Sequence, residues 1–326
     1  MEHKDFSRPR TPREFLRLYL TGFAMGSADI VPGVSGGTIA FVSGIYETLL
    51  SAIKSFNLTA LRLAVGLKVR ELLAHLPLGF LIALGLGILT AIVTLSGLLG
   101  AALENPQQSP FVFIFFAGLV LASIVAIGLK TTWNPLAVVM VIIGAVGAFI
   151  LVGLRPPTQE PSHDLPILFV SGMIAITAMI LPGISGSFML LLMGQYFFIL
   201  NAVRERDILP IAVLGLGCVV GIVIFSRVLS WLLRNYYNPT VALLVGFMIG
   251  SLRKLWEGDA KPGGDLIVGA NAVTSFDAGQ IALAVVIFAL GFIIVSVIDH
   301  IAGRDNPLIL LITRRTLKAP SAQAAD

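Results

Sequence analysis

Residues 28–47 read ADIVPGVSGGTIAFVSGIYE, and residues 178–197 read AMILPGISGSFMLLLMGQYF. Ala28, Ile30, Pro32, Gly33, Ser35, Gly36, Gly44 and Tyr46 recur 150 positions later as Ala178, Ile180, Pro182, Gly183, Ser185, Gly186, Gly194 and Tyr196. Proline lacks an N–H and restrains the residue before it, so each Pro-Gly pair stops a helix. A polar helix break that occurs twice in apolar surroundings points to a binding site near the middle of a membrane.

The surroundings are indeed membrane-like. Of 326 residues, 56% are hydrophobic and 12% charged, with a mean hydropathy of +0.93. A soluble chain carries roughly 25% charged residues. Only helices and closed barrels satisfy their backbone polar groups in lipid, and the long apolar runs imply helices, so the expected class is an all-α polytopic membrane protein. The net charge is +4, with the excess in the two tails and one loop. That distribution reads as membrane topology, and nucleic acid is not an expected partner. The single cysteine, Cys218, lies in an apolar run and reads as a small buried hydrophobe. Lys4, Arg8, Arg10, Arg13 and Arg17 precede an apolar run in the manner of a signal peptide. Cleavage near Ala28 would remove an arm whose counterpart, 166–181, stays inside the chain, so an uncleaved first segment is expected.

In order, the sequence predicts a basic tail (1–13), an arm (14–31), the tip 32–38, and a second arm from Ser35 to Ile53. A basic loop with an interfacial helix follows at 54–76, then spans at 77–100, 110–129 and 135–154. A Pro-rich linker, 155–165, leads to an arm at 166–181, the tip 182–187 and an arm at 184–203. Further spans are expected at 209–233, 239–252 and 281–300, with a polar loop at 253–280 and a basic tail at 301–326.

The duplication extends past the tips. LGLGILTAIVTLSGLL (84–99) and LGLGCVVGIVIFSRVL (214–229) share eight of sixteen positions. GLVLAS (118–123) aligns with GFMIGS (246–251), and AVVMVIIG (137–144) with AVVIFALG (284–291). Four matched segments in one order define two repeats, 14–154 and 166–300. Each is a hairpin plus three spans. A hairpin returns the chain to its starting side, whether re-entrant or fully spanning, so three further spans invert the next repeat. Lys and Arg concentrate on the side of both termini, which predicts cytoplasmic ends.

Inverted hairpins bring their tips together near the midplane. Each tip begins a helix, whose start exposes N–H groups and the positive end of the helix dipole. Ser35, Thr38, Ser185 and Ser187 add hydroxyls, and Gly33, Gly36, Gly37, Gly183 and Gly186 allow close approach to the backbone. The expected ligand is an anion, phosphate or carboxylate. The glycines lack the G-K-[ST] ending of a nucleotide-binding loop, so ATP hydrolysis is not expected. The GxxxG pairs Gly22/Gly26, Gly217/Gly221 and Gly246/Gly250 read as helix packing.

Two acids belong to the first repeat alone: Asp29 aligns with Met179, and Glu47 with Phe197. Intramembrane carboxylates suggest proton or ion coupling. For Asp29 a second reading stands beside it, an acceptor that caps the hairpin. Arg227 replaces Gly97 and either snorkels to the cytoplasmic surface or contacts a phosphate. Tyr46 and Tyr196 either line the site or pack in the core. No metal-ligand spacing appears, and neither Ser35 nor Ser185 has a suggestively placed histidine, so neither an enzyme nor a cofactor is expected.

The two motifs, ADIVPGVSGGTIAFVSGIYE above all, resemble the bacterial polyprenyl-phosphate (undecaprenyl phosphate) transporters, a family long known only as a domain of unknown function. The resemblance covers roughly residues 14–300. It implies a flippase of the plasma membrane that returns undecaprenyl phosphate from the outer to the inner leaflet for envelope synthesis. The phosphate would sit at the tips and the prenyl tail would remain in lipid. The alternative is a transporter or channel for a small soluble anion. Oligomeric state is left open.

Overall fold

The computed structural model describes residues 9, 11–31, 33–154, 161–260 and 266–303. Pro32, most of both tails and most of the linker lie outside the described residues, and so do the expectations placed on them. The protein is an all-α polytopic membrane protein. α1 (Pro12–Ile30) starts on Thr11, whose hydroxyl accepts the Glu14 N–H while the Glu14 carboxylate accepts the Thr11 N–H. It stops before the proline, as the sequence requires. Then come α2 (Gly36–Val42), α3 (Tyr46–Lys54), α4 (Leu58–Val65), α5 (Val69–His75), α6 (Leu78–Glu104), α7 (Ser109–Lys130) and α8 (Pro135–Val152). The second half holds α9 (Leu165–Ile180), α10 (Gly186–Leu192), α11 (Tyr196–Glu205), α12 (Ile208–Asn235), α13 (Tyr237–Glu257) and α14 (Ala278–Gly303). Between α13 and α14 lie β1 (Gly258–Ala260), antiparallel to β2 (Leu266–Val268), and a 3-10 turn at Ala270–Ser275. α6, α7, α8, α12 and α14 are each long and apolar enough to cross a membrane.

Two expectations need correction. The arms after the tips are not continuous helices. Gly44 and Gly194 adopt left-handed backbone, φ 72° and 69°, and bend the chain by 114° between α2 and α3 and by 104° between α10 and α11. Left-handed residues do not continue a right-handed helix, and glycine adopts that conformation without steric cost. Both glycines belong to the duplicated motif, so the second break recurs as the first does. Each seven-residue tip helix therefore covers only about 10 Å of a hydrocarbon layer near 30 Å. The second correction concerns α13, which runs on to Glu257 rather than ending at 252. Arg253 and Lys254 extend the helix instead of opening a polar loop, and Lys254 is buried there.

Small residues set the packing. A Cβ on Gly22 would run into the Leu84 carbonyl oxygen, and one on Gly172 into that of Leu214. Gly87 approaches the Tyr19 carbonyl as Gly217 approaches that of Phe169. Gly118 meets the Phe288 carbonyl as Gly246 meets that of Val141, and Gly291 meets Phe115 as Gly144 meets Leu243. Every partner is the residue that the sequence alignment of the two halves matches. Backbones in direct contact are how helices associate when lipid is as apolar as their side chains. The result pairs α1 with α6 and α9 with α12. It also exchanges partners between halves: α7 packs on α14 and α13 on α8. The enclosed core, with Ile39, Phe113, Leu244, Met248 and Leu255, draws on α2, α7 and α13.

Candidate functional site

The two tips meet. Ser35 Oγ lies 3.5 Å from the Leu181 carbonyl oxygen, and the Tyr46 hydroxyl donates to the Ile180 carbonyl at 2.9 Å. A Cβ on Gly37 would stand 3.0 Å from that same Ile180 oxygen. The start of α2 is thus pressed against the last carbonyls of α9, across 146 residues of chain between Ser35 and Leu181. The positive end of α2 faces the negative end of α9. Tyr46 is buried, so its position is both in the core and on the junction.

The tips are not equivalent, although the motif that builds them is shared. At the first, Asp29 Oδ1 accepts the Gly36 N–H at 2.7 Å and Ser35 Oγ accepts the Gly37 N–H at 3.1 Å. The Thr38 N–H goes to the Ser35 carbonyl at 2.9 Å. The N–H groups expected to face an anion are already engaged, and Gly36, Gly37 and Thr38 are buried. Asp29 here acts as the capping acceptor. At the second tip Met179 replaces Asp29, and Ser185 makes no side-chain capping bond to α10. Its hydroxyl lies 2.8 Å from that of Ser187 instead, half-buried beside an exposed neighbour. The second tip is the open one.

Both tips rest on α13. Gly33 and Gly183 are left-handed, φ 83° and 87°. A Cβ on Gly33 would lie 2.6 Å from Lys254 Cγ, and one on Gly183 2.8 Å from Ser251 Oγ. Lys254 Nζ stands 4.5 Å from the centre of the Phe188 ring, one residue past Ser187. It is the one buried lysine or arginine among the described residues. Sequence reasoning misses Lys254 because Glu257 lies close enough in the chain to neutralise it. Glu257 instead pairs with Arg253 at 2.8 Å. The available signal is the repeat itself, which aligns Lys254 with the apolar Ala126.

Other expected residues lie elsewhere. Glu47 is exposed on the first turn of α3, a helix away from the tip. Arg227 is exposed on α12. Tyr196 is half-buried with its ring edge-on to Phe197. An apolar cavity of about 510 Å³ opens between α1, α6, α7 and α14, lined by Ser27, Leu99, Phe111, Phe115, Phe116 and Ile287. Three of its helices, α1, α7 and α14, also touch α2, the helix that begins at the first tip.

No solved structure matches the chain. A polyprenyl-phosphate transporter of Vibrio cholerae is 43% identical over 243 residues, covering 74% of this chain and 78% of that protein. A polyprenyl-phosphate transporter of Staphylococcus aureus is 31% identical over 304 residues, covering 88% of this chain and 97% of that protein. Residues 25–262, which hold both tips and α13 with Lys254, match the sequence model described as undecaprenyl phosphate translocase-like. The chain belongs to the undecaprenyl phosphate translocase-like family.

Proposed function

We propose that this protein is a polyprenyl-phosphate transporter of the bacterial plasma membrane that returns undecaprenyl phosphate from the outer to the inner leaflet. Family membership and the names of both relatives support the substrate. The observation that carries the reading is the junction of the first polar tip with the chain entering the second, Ser35 against Leu181. Irregular backbone at membrane depth is tolerated only inside protein or beside a wet cavity, and a polar headgroup needs such a path.

Residues 14–154 and 166–300 act as inverted repeats with both termini in the cytoplasm. The recurring glycine contacts and the exchange of partners between α7–α14 and α13–α8 support that arrangement. The phosphate binds at the tip junction, against Ser185, Gly186 and Ser187 of the open tip. Ser35, Gly36, Gly37 and Thr38 form its closed wall. The prenyl tail leaves sideways through the apolar cavity beside α2, whose volume lies in the range of ligand pockets. Coupling falls to Asp29, which bonds to the tip, rather than to Glu47, which is exposed on α3. Protonation of Asp29 offsets the charge of the arriving anion and loosens its bond to Gly36.

The test is leaflet-resolved undecaprenyl phosphate in proteoliposomes, with and without a pH gradient. Gradient-dependent movement between leaflets supports the reading. Transport of a water-soluble phosphate with no lipid movement replaces it with the soluble-anion alternative.

A further inference from the structure

We infer that Lys254 is the cation that receives the phosphate headgroup between the two tips. The inference deepens the transporter reading and rests on it. Three observations converge. Lys254 is 9% exposed, where every other described lysine and arginine is more open. Its stem lies under the left-handed Gly33 of the first tip. Its ammonium stands over Phe188, the third residue of the second tip helix.

The chemistry follows from that placement. A buried ammonium is costly unless it meets a charge or strong acceptors. The repeat partner of Lys254 is Ala126, fully enclosed and apolar, so packing alone does not call for a lysine here. The Phe188 ring, in the second tip helix, holds the ammonium by its negative face. Lysine is a compact point charge with three donors, suited to a single terminal phosphate. Lys254 has protein contacts of its own. A phosphate monoester, with up to two charges and three acceptor oxygens, competes with those contacts for it.

The experiment uses the full chain in nanodiscs, with labelled undecaprenyl phosphate and the uncharged undecaprenol as probes. Wild type is expected to prefer the phosphate. Lys254→Met and Lys254→Gln are expected to lose about tenfold or more in affinity for the phosphate, with undecaprenol binding unchanged. Lys254→Arg is expected to stay close to wild type. A folded Met or Gln variant that binds the phosphate like wild type overturns the assignment. So does an Arg variant as weak as the Met variant, because that marks a packing role under Gly33. If wild type itself does not prefer the phosphate, the transporter reading fails, and this one with it.

Discussion

Asp29 Oδ1 and the Gly36 N–H stand 2.7 Å apart, so the intramembrane carboxylate of the first repeat is also the clasp of its tip. The two roles separate by substitution. Asparagine keeps an acceptor oxygen but no charge, so Asp29→Asn is expected to unfold near the wild-type temperature while transport loses its dependence on a pH gradient. Asp29→Ala leaves the Gly36 N–H without its partner and is expected to cost about 1–3 kcal/mol. Thermal unfolding in detergent and transport at two gradients measure both. Full gradient dependence in the Asn variant rules out the coupling role.

Gly33 and Gly44 are both left-handed, but their surroundings differ. A Cβ on Gly33 would strike Lys254 Cγ at 2.6 Å, while one on Gly44 meets nothing within 4 Å. Gly44→Ala is expected to cost only the backbone strain, about 1–2 kcal/mol. Gly33→Ala adds overpacking of about 1–3 kcal/mol. Equal losses in a denaturation series would mean that the seat of Gly33 on α13 is loose.

Much of the fold is legible in the sequence because apolar run lengths and Pro-Gly breaks act locally. The spans at 77–100 and 209–233 match α6 and α12 closely. What is not legible depends on contacts across the fold. Gly44 and Gly194 bend the chain only where their backbone turns left-handed, and glycine in sequence does not announce which conformation it takes. Lys254 reads as the start of a polar loop until the tips are packed around it. The inequality of the tips follows from Asp29 facing Met179, which the alignment displays but whose consequence is a hydrogen bond.

The glycines divide into packed and open sets. Gly118 and Gly246 touch backbone on neighbouring helices, whereas Gly85, Gly97 and Gly147 have open space at the Cβ position. Gly118→Ala and Gly246→Ala are expected to destabilise by about 1–3 kcal/mol. Gly97→Ala is expected to be neutral or slightly stabilising, by up to about 1 kcal/mol, because alanine favours helix. Stability in a common detergent checks the sign at each position.

Lys130 Nζ pairs with Asp299 Oδ1 at 2.8 Å and ties α7 to α14, with the carboxylate side chain only 5% exposed. Lys130→Met leaves a buried charge without that partner and is expected to cost about 3–5 kcal/mol. Adding Asp299→Asn removes the charge and is expected to recover part of the loss. A double variant as unstable as the sum of the singles would show that the two residues do not act as a pair.

Ser35 and Ser185 are matched by the repeat but serve different ends. Ser35 Oγ accepts the Gly37 N–H and caps α2, so Ser35→Ala is expected to cost about 1 kcal/mol of stability. Ser185 has no such bond and points its hydroxyl at Ser187, so Ser185→Ala is expected to leave stability unchanged. If the open tip holds the headgroup, Ser185→Ala with Ser187→Ala impairs transport in a protein as stable as wild type. Transport at the wild-type rate in that double variant would move the headgroup away from the second tip. The same result in Ser35→Ala alone would not, because the first tip is already closed by its own hydrogen bonds.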